Sequence, residues 1–262
     1  MHACGNRLYN YRNGECCLAI EFTSFGAGEA KEALGAGGAG AMFGAVILDM
    51  DGTVIDSERA LLALWEAVSM SRGYAFSREA MMRTIGTTYN ETIRIMEEAY
   101  PDAPHAEIRE EMARRFREMR ENGEIGLRPD VNEFLEKVYG RGISIGLCTS
   151  TRGSSARLTL ENAGILKYFD ALVCGDDVTR SKPDPEPYLL SAARLGLSPM
   201  ECFVVEDSPS GARSALAAGM TVAVVPDLIP VPGDVAGRVK VIDSILQAIP
   251  LFMQRQADEH RE

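Results

Sequence analysis

AVILDMDGTVIDSE, residues 45 to 58, sets four apolar residues before two aspartates and a glycine. A short apolar run bounded by a turn is the signature of a buried parallel strand, and open α/β sheets place ligand chemistry at the carboxyl ends of such strands. Asp49 and Asp51 lie two apart, so on a regular strand they would share a face and repel unless a cation sat between them. Mg2+ suits that role, since it prefers oxygen ligands and takes one or two carboxylates beside a substrate phosphate. The plainer reading is a strand ending in an acidic Asp-Gly turn.

Three later segments repeat this grammar. ISIGLCTS is an apolar run ending in the hydroxyls of Thr149 and Ser150 before a helix, either a phosphate cradle or ordinary helix caps. In SKPDPEPY, Lys182 stands before two prolines that stiffen the chain, as a fixed charge for a phosphoryl oxygen or as a solvated surface residue. CFVVEDSPSGARSALAAG ends an apolar run with Glu206 and Asp207, which hold a metal or simply cap the helix that follows.

Taken together, the four segments resemble the haloacid dehalogenase superfamily of phosphohydrolases, and the match runs from about Ala45 to Pro226. The resemblance is to members with an α-helical cap, similar to phosphoglycolate phosphatase and the β-phosphoglucomutase-like phosphatases. It implies that Asp49 attacks phosphorus to give an aspartyl-phosphate, and that Asp51 protonates the leaving oxygen and then activates water. Mg2+ would be held by Asp49, the carbonyl of Asp51 and Asp207, with Glu206 at or near the shell. Thr149, Ser150 and Lys182 would bind phosphoryl oxygens, and Thr53 would orient Asp51.

From Glu58 to Arg128 the apolar strand runs disappear, and Ile108, Met112, Phe116 and Met119 are spaced for one helical face. This stretch reads as an all-helical insertion, residues 58–128, whose charged side is a solvated face. In the resembled superfamily an insertion here is the cap over the site, with Tyr89 and Asn90 placed to face substrate. Ser57 and Arg128 would be its hinges.

Absences narrow the chemistry. Asp51 and the acidic pair disfavour a dehalogenase, and the lack of lysine between Lys31 and Lys137 disfavours a Schiff-base phosphonate hydrolase. A sugar phosphomutase similar to β-phosphoglucomutase is the nearest competitor. Such mutases usually carry a valine, a histidine and a cap arginine where this chain has Thr53, Leu61 and Tyr89, although Arg94 or Arg152 is available as a substitute cation. A non-catalytic binding module would have lost a nucleophile or ligand, and none is lost.

The expected fold is α/β: a doubly wound, Rossmann-like parallel sheet core, residues 42–57 and 129–262, with the helical cap inserted. About five strands are expected, near Val46, Ile145, Leu172, Phe203 and Val222. Helices are expected from about Val131, Ser154, Glu186 and Pro209, with Ser244 to Arg255 last. At 262 residues the chain is long enough for this arrangement, and its net charge of −11 disfavours nucleic acid and anionic membranes as partners. No run approaches the roughly 18 apolar residues of a membrane helix. The expected partner is a small phosphorylated metabolite, and nothing in the sequence demands more than a monomer. Cys148, Cys174 and Cys202 fall on or beside apolar strands, while Cys4, Cys16 and Cys17 fit neither a zinc site nor a disulfide framework, which suggests a reducing cytoplasm. Twelve of the sixteen residues from Gly26 to Ala41 are Gly or Ala, so residues 1–41 read as a disordered extension or a mispredicted start.

Overall fold

A computed structural model describes residues 43–84, 89–228 and 230–253; the leader at 1–41, with Cys4, Cys16 and Cys17, lies outside them. Among the described residues the apolar runs and one short exposed segment form a six-stranded parallel sheet of β1 (Ala45–Leu48), β2 (Ser144–Cys148), β3 (Ala171–Val173), β4 (Cys202–Glu206), β5 (Thr221–Val224) and β6 (Lys240–Val241), in the order β3-β2-β1-β4-β5-β6. The sixth strand was not expected, because its two exposed residues bury no apolar face and leave no hydrophobic run to read.

Strand side chains alternate between two cores. Val46, Leu48, Ile145, Leu147, Phe203 and Val205 face α5 (Val131–Val138) and α6 (Gly153–Asn162). Ile47, Val204, Val222 and Val224 face the opposite side, against α7 (Glu186–Leu195) and α8 (Pro209–Ala217). Each fully buried Val, Leu or Ile contributes roughly 1.5–3 kcal/mol, so an apolar layer on both faces makes the sheet doubly wound. A short α9 (Gly233–Ala236) precedes β6, and the last segment begins as a 3-10 turn before α10 (Ala248–Met253).

Between β1 and α5 the chain is helical: α1 (Ser57–Ser71), α2 (Arg78–Thr84), α3 (Tyr89–Ala99) and α4 (His105–Glu121). Leu64, Trp65, Val68, Met96, Ile108 and Met112 close a separate core. Phe116 and Met119 pack against both that cluster and the sheet's, so the far end of α4 rests on the sheet domain. The chain enters and leaves this insertion through two neighbouring segments, joined by an antiparallel bridge from Ile55 to Leu127 and by Asp56 N to Gly126 O and Arg128 N to Val54 O, each 2.9 Å. Arg59 and Arg128 both clamp Asp227, each at 2.7 Å, in the loop after β5. The segments that carry the expected hinges Ser57 and Arg128 are thus paired with each other, and Asp227 holds Arg128 and the neighbouring Arg59.

The loop carrying Lys182 is fastened by the first residue of α7. Glu186 accepts from the Thr179 backbone N–H at 2.7 Å, the Thr179 hydroxyl at 2.9 Å and the Arg180 Nε at 3.1 Å. These donors, the Thr179 N–H foremost, hold its carboxyl down from the ordinary 4.5 to about 2. A depressed carboxylate pKa stabilises the fold above its unfolded value and loses that contribution as pH falls through the folded one. Glu186→Gln is therefore expected to melt at a lower temperature than the parent at pH 6, with the two curves converging as pH falls from about 4.5 toward 2, read by thermal denaturation across that range.

Candidate active site

Strand order brings the motifs together. β1 and β4 are neighbours at the point where the winding reverses, with Leu48 beside Val205, so Asp49 and the Glu206–Asp207 pair emerge side by side from their carboxyl ends. β2, on the other flank of β1, delivers Thr149 and Ser150. A pocket of about 210 Å3 is lined by Asp49, Asp51, Thr149, Ser150, Lys182 and Asp207, together with Glu58, Ser208, Ser210, Asp227 and Leu228.

Lys182 is the hub of this cluster. Its Nζ donates to Asp49 Oδ1 and Glu206 Oε1, both at 2.6 Å, and to Cys148 O at 3.0 Å, which uses its three protons. Burial alone would lower its pKa, but Asp49 and Glu206 outweigh that and hold the ammonium well above its usual range. Glu206 is fully buried, and also accepts from the Tyr188 hydroxyl at 2.6 Å and the Ser208 hydroxyl at 3.1 Å.

Asp49 and Asp207 are less well compensated. Burial, with Glu206 and Asp51 adding repulsion and Lys182 opposing, raises Asp49 to about 8. Burial, then Asp49 and Glu206, pushes Asp207 well above the normal carboxylate range. Oxygen atoms of Asp49, Glu206 and Asp207 all lie within 4.8 Å of one another. Two buried carboxylates on one lysine, with the half-buried Asp207 beside them, form a site whose remaining negative charge and oxygen donors fit a hard divalent cation.

Two glycines make this packing possible. Gly52 sits at φ +86°, and a Cβ there would lie 2.1 Å from Asp207 Oδ2. On α8, a Cβ at Gly211 would lie 1.7 Å from Glu206 Oε1.

Asp51 turns elsewhere. Its Oδ1 accepts from Arg120 Nη2, in the last turn of α4, and its Oδ2 accepts from the Thr151 hydroxyl at 2.7 Å. The expectation that Thr53 orients Asp51 is corrected, because the Thr53 hydroxyl points at Asp207 Oδ1 at 3.5 Å, the outer limit of a hydrogen bond. Thr149 is buried and accepts from the Thr151 N–H at 3.0 Å, while Ser150 is exposed at the pocket mouth. Asn90 is exposed in the first turn of α3, and the Tyr89 side chain lies outside the described residues. Arg94, a candidate substitute for the mutase cation, is exposed and paired with Glu91 at 2.6 Å.

Arg120, Thr151, Glu58 and Asp227 were not singled out from sequence. Arg120 continues the Ile108, Met112, Phe116 series at the same spacing of four, so a charge on the apolar stripe was the available signal; it belongs to the buried face and not to the solvated one. Glu58 lines both this pocket and a second cavity of about 380 Å3 inside the helical insertion, lined also by Leu61, Trp65, Met81, Met96, His105 and Arg109.

The chain matches the family described as haloacid dehalogenase-like hydrolase over residues 46–225. It is 37% identical over 182 residues to a phosphorylated carbohydrates phosphatase of Thermotoga maritima, covering 67% of this chain and 82% of that protein. It is 33% identical over 181 residues to a fructose-1-phosphate phosphatase of Escherichia coli, covering 68% and 94%. A solved structure titled a putative beta-phosphoglucomutase from Thermotoga maritima superposes with a TM-score of 0.62 at 33% identity, covering 76% of this chain and 93% of that one.

Gly211→Ala forces the Glu206 carboxylate off Lys182 and Tyr188. It is expected to destabilise by about 3–5 kcal/mol in urea titration, whereas Gly233→Ala, with nothing within 4 Å of the new Cβ, is expected to be near neutral. Asp207→Asn removes one buried like charge, so its metal-free melting temperature should rise by roughly 2–4 °C. The stabilisation that Mg2+ gives the parent in the same thermal-shift measurement should vanish.

Proposed function

The chain belongs to the haloacid dehalogenase-like hydrolases and is a phosphatase of that family, and on that premise we propose a Mg2+-dependent enzyme that hydrolyses small phosphate monoesters through an aspartyl-phosphate. The observation that carries this reading is the convergence of Asp49, Lys182, Glu206 and Asp207 beside Thr149 at one strand end.

Asp49 is the nucleophile: its carboxylate oxygen bonds to phosphorus as the bond from phosphorus to the leaving oxygen breaks. Asp51 gives its proton to that leaving oxygen, then takes one from the water that cleaves the aspartyl-phosphate and restores Asp49. Lys182 exchanges one of its carboxylate contacts for a phosphoryl oxygen and stabilises the charge gathering there. Thr149, with Ser150 at the mouth, offers further donors to the phosphoryl group. Asp49 and Asp207 would hold the ion, joined by the carbonyl of Asp51 and with Glu206 beside it. When bound, Mg2+ would supply charge neutralisation for the carboxylates and the incoming phosphate.

The helices α1 to α4 form the cap, and the cavity that meets the catalytic pocket at Glu58 receives the leaving group. Seated there, the substrate's own body keeps bulk water from the transferring phosphoryl group. Relatives named for phosphorylated carbohydrates and fructose 1-phosphate make small phosphorylated metabolites the substrate class to test first.

Purified protein assayed with Mg2+ on a panel of phosphate monoesters, including β-glucose 1-phosphate primed with its bisphosphate, tests the proposal. Phosphate release should be abolished by Asp49→Asn and by chelation. Isomerisation of glucose 1-phosphate without net phosphate release would instead establish a mutase.

A further inference from the structure

Asp51 is gripped from both sides. Arg120 reaches it from the helical insertion and holds Oδ1, while Thr151 reaches it from the loop after β2 and holds Oδ2 at 2.7 Å. Arg120 is not a wandering surface arginine. Its side chain is 11% exposed, and its guanidinium lies 5.0 Å from the Phe116 ring centroid. Its own helix end is tied to the sheet domain, since Asn162 on α6 donates to the carbonyls of Arg120 and Glu121, both at 3.0 Å. Elsewhere on α4, Arg114 and Arg115 pair with Glu118 and Glu111 along their own helix.

We propose that Arg120 is the positioning residue for the acid–base Asp51, orienting that carboxylate from the insertion so that proton transfer to the leaving group requires the end of α4 to be seated on the sheet domain. This rests on the phosphatase reading above. A carboxylate with two rotatable torsions, set beside other carboxylates, would otherwise turn away from them. One guanidinium and one hydroxyl fix it in a single orientation, as proton transfer demands. Among the described residues Arg120 bonds Asp51 and not the nucleophile Asp49, so the role assigned to it acts through Asp51.

That route has a signature. A sugar or alkyl phosphate expels an alkoxide, which needs the proton of Asp51 as the bond to phosphorus breaks. p-Nitrophenyl phosphate expels a phenolate that is stable without one. Arg120→Met should therefore lower kcat/KM for an alkyl phosphate by ~10–100-fold more than for p-nitrophenyl phosphate, mostly in kcat. Arg120→Lys should recover part of the difference, and Thr151→Val, which removes the other grip without touching the insertion, should show the same selective loss. Equal losses on both substrates, no loss, or a gain on the alkyl phosphate would overturn the role assigned to Arg120. Asp49→Asn run on both substrates separates the two levels: if its hydrolysis persists, the phosphatase reading falls and this inference with it. A flat ratio with Asp49 still required removes Arg120 alone.

Discussion

The ammonium of Lys182 is the contact on which the rest of the site depends. Breaking a buried ion pair by deleting one partner typically costs about 3–5 kcal/mol, and here the deletion would leave Asp49 and Glu206 facing each other in a low-dielectric interior. The rigid parts of the neighbourhood serve this one group. Glu186 braces its loop, Tyr188 lies against it, and Gly211 is side-chain-free so that Glu206 can reach it. The lysine nevertheless balances only part of the acidity, and the remaining negative charge is what a bound cation would have to neutralise before a phosphate could enter.

Sequence made the sheet and its chemical ends legible because both follow local rules. A buried strand needs an unbroken apolar run, a turn needs glycine, and reactive side chains in an open α/β fold sit where strands stop. Asp49, Thr149, Glu206 and Asp207 were placed by that reasoning and Lys182 by its proline-stiffened loop; Asp49, Thr149, Lys182 and Asp207 line one pocket, and Glu206 bonds Lys182 behind it. What sequence did not resolve depends on torsions and long-range register. Thr53 lies two residues from Asp51 and Thr151 a hundred, yet the fold makes Thr151 the one that bonds it. β6 escaped notice for the opposite reason, being exposed and two residues long.

The insertion shows how the two kinds of information meet. Its amphipathic spacing identified the buried face of α4 through Ile108, Met112, Phe116 and Met119, and those residues do turn inward. The same stripe ends in Arg120. Extended by one more step it would have marked a buried cation, but nothing in the sequence says that the acceptor is a residue 69 positions earlier. Asp227 is a similar case: it is unremarkable in its loop, yet it gathers Arg59 and Arg128 from both ends of the insertion.

The pairing of the entering and leaving segments has a consequence for inheritance. Because Ile55 and Leu127 meet and the backbone of each strand satisfies the other, the sheet domain experiences everything between them as one lengthened hairpin. A flexible loop's closure entropy grows only slowly, by about 0.6 kcal/mol for each doubling of length. Helices α2 and α3 can therefore be lengthened, shortened or exchanged beyond that neck with little thermodynamic effect on the sheet, whereas the end of α4 is held to it through Phe116, Met119 and Arg120. A single scaffold of this kind can carry many lids, and a lineage that keeps the end of α4 seated can change what it recognises while leaving how it reacts untouched.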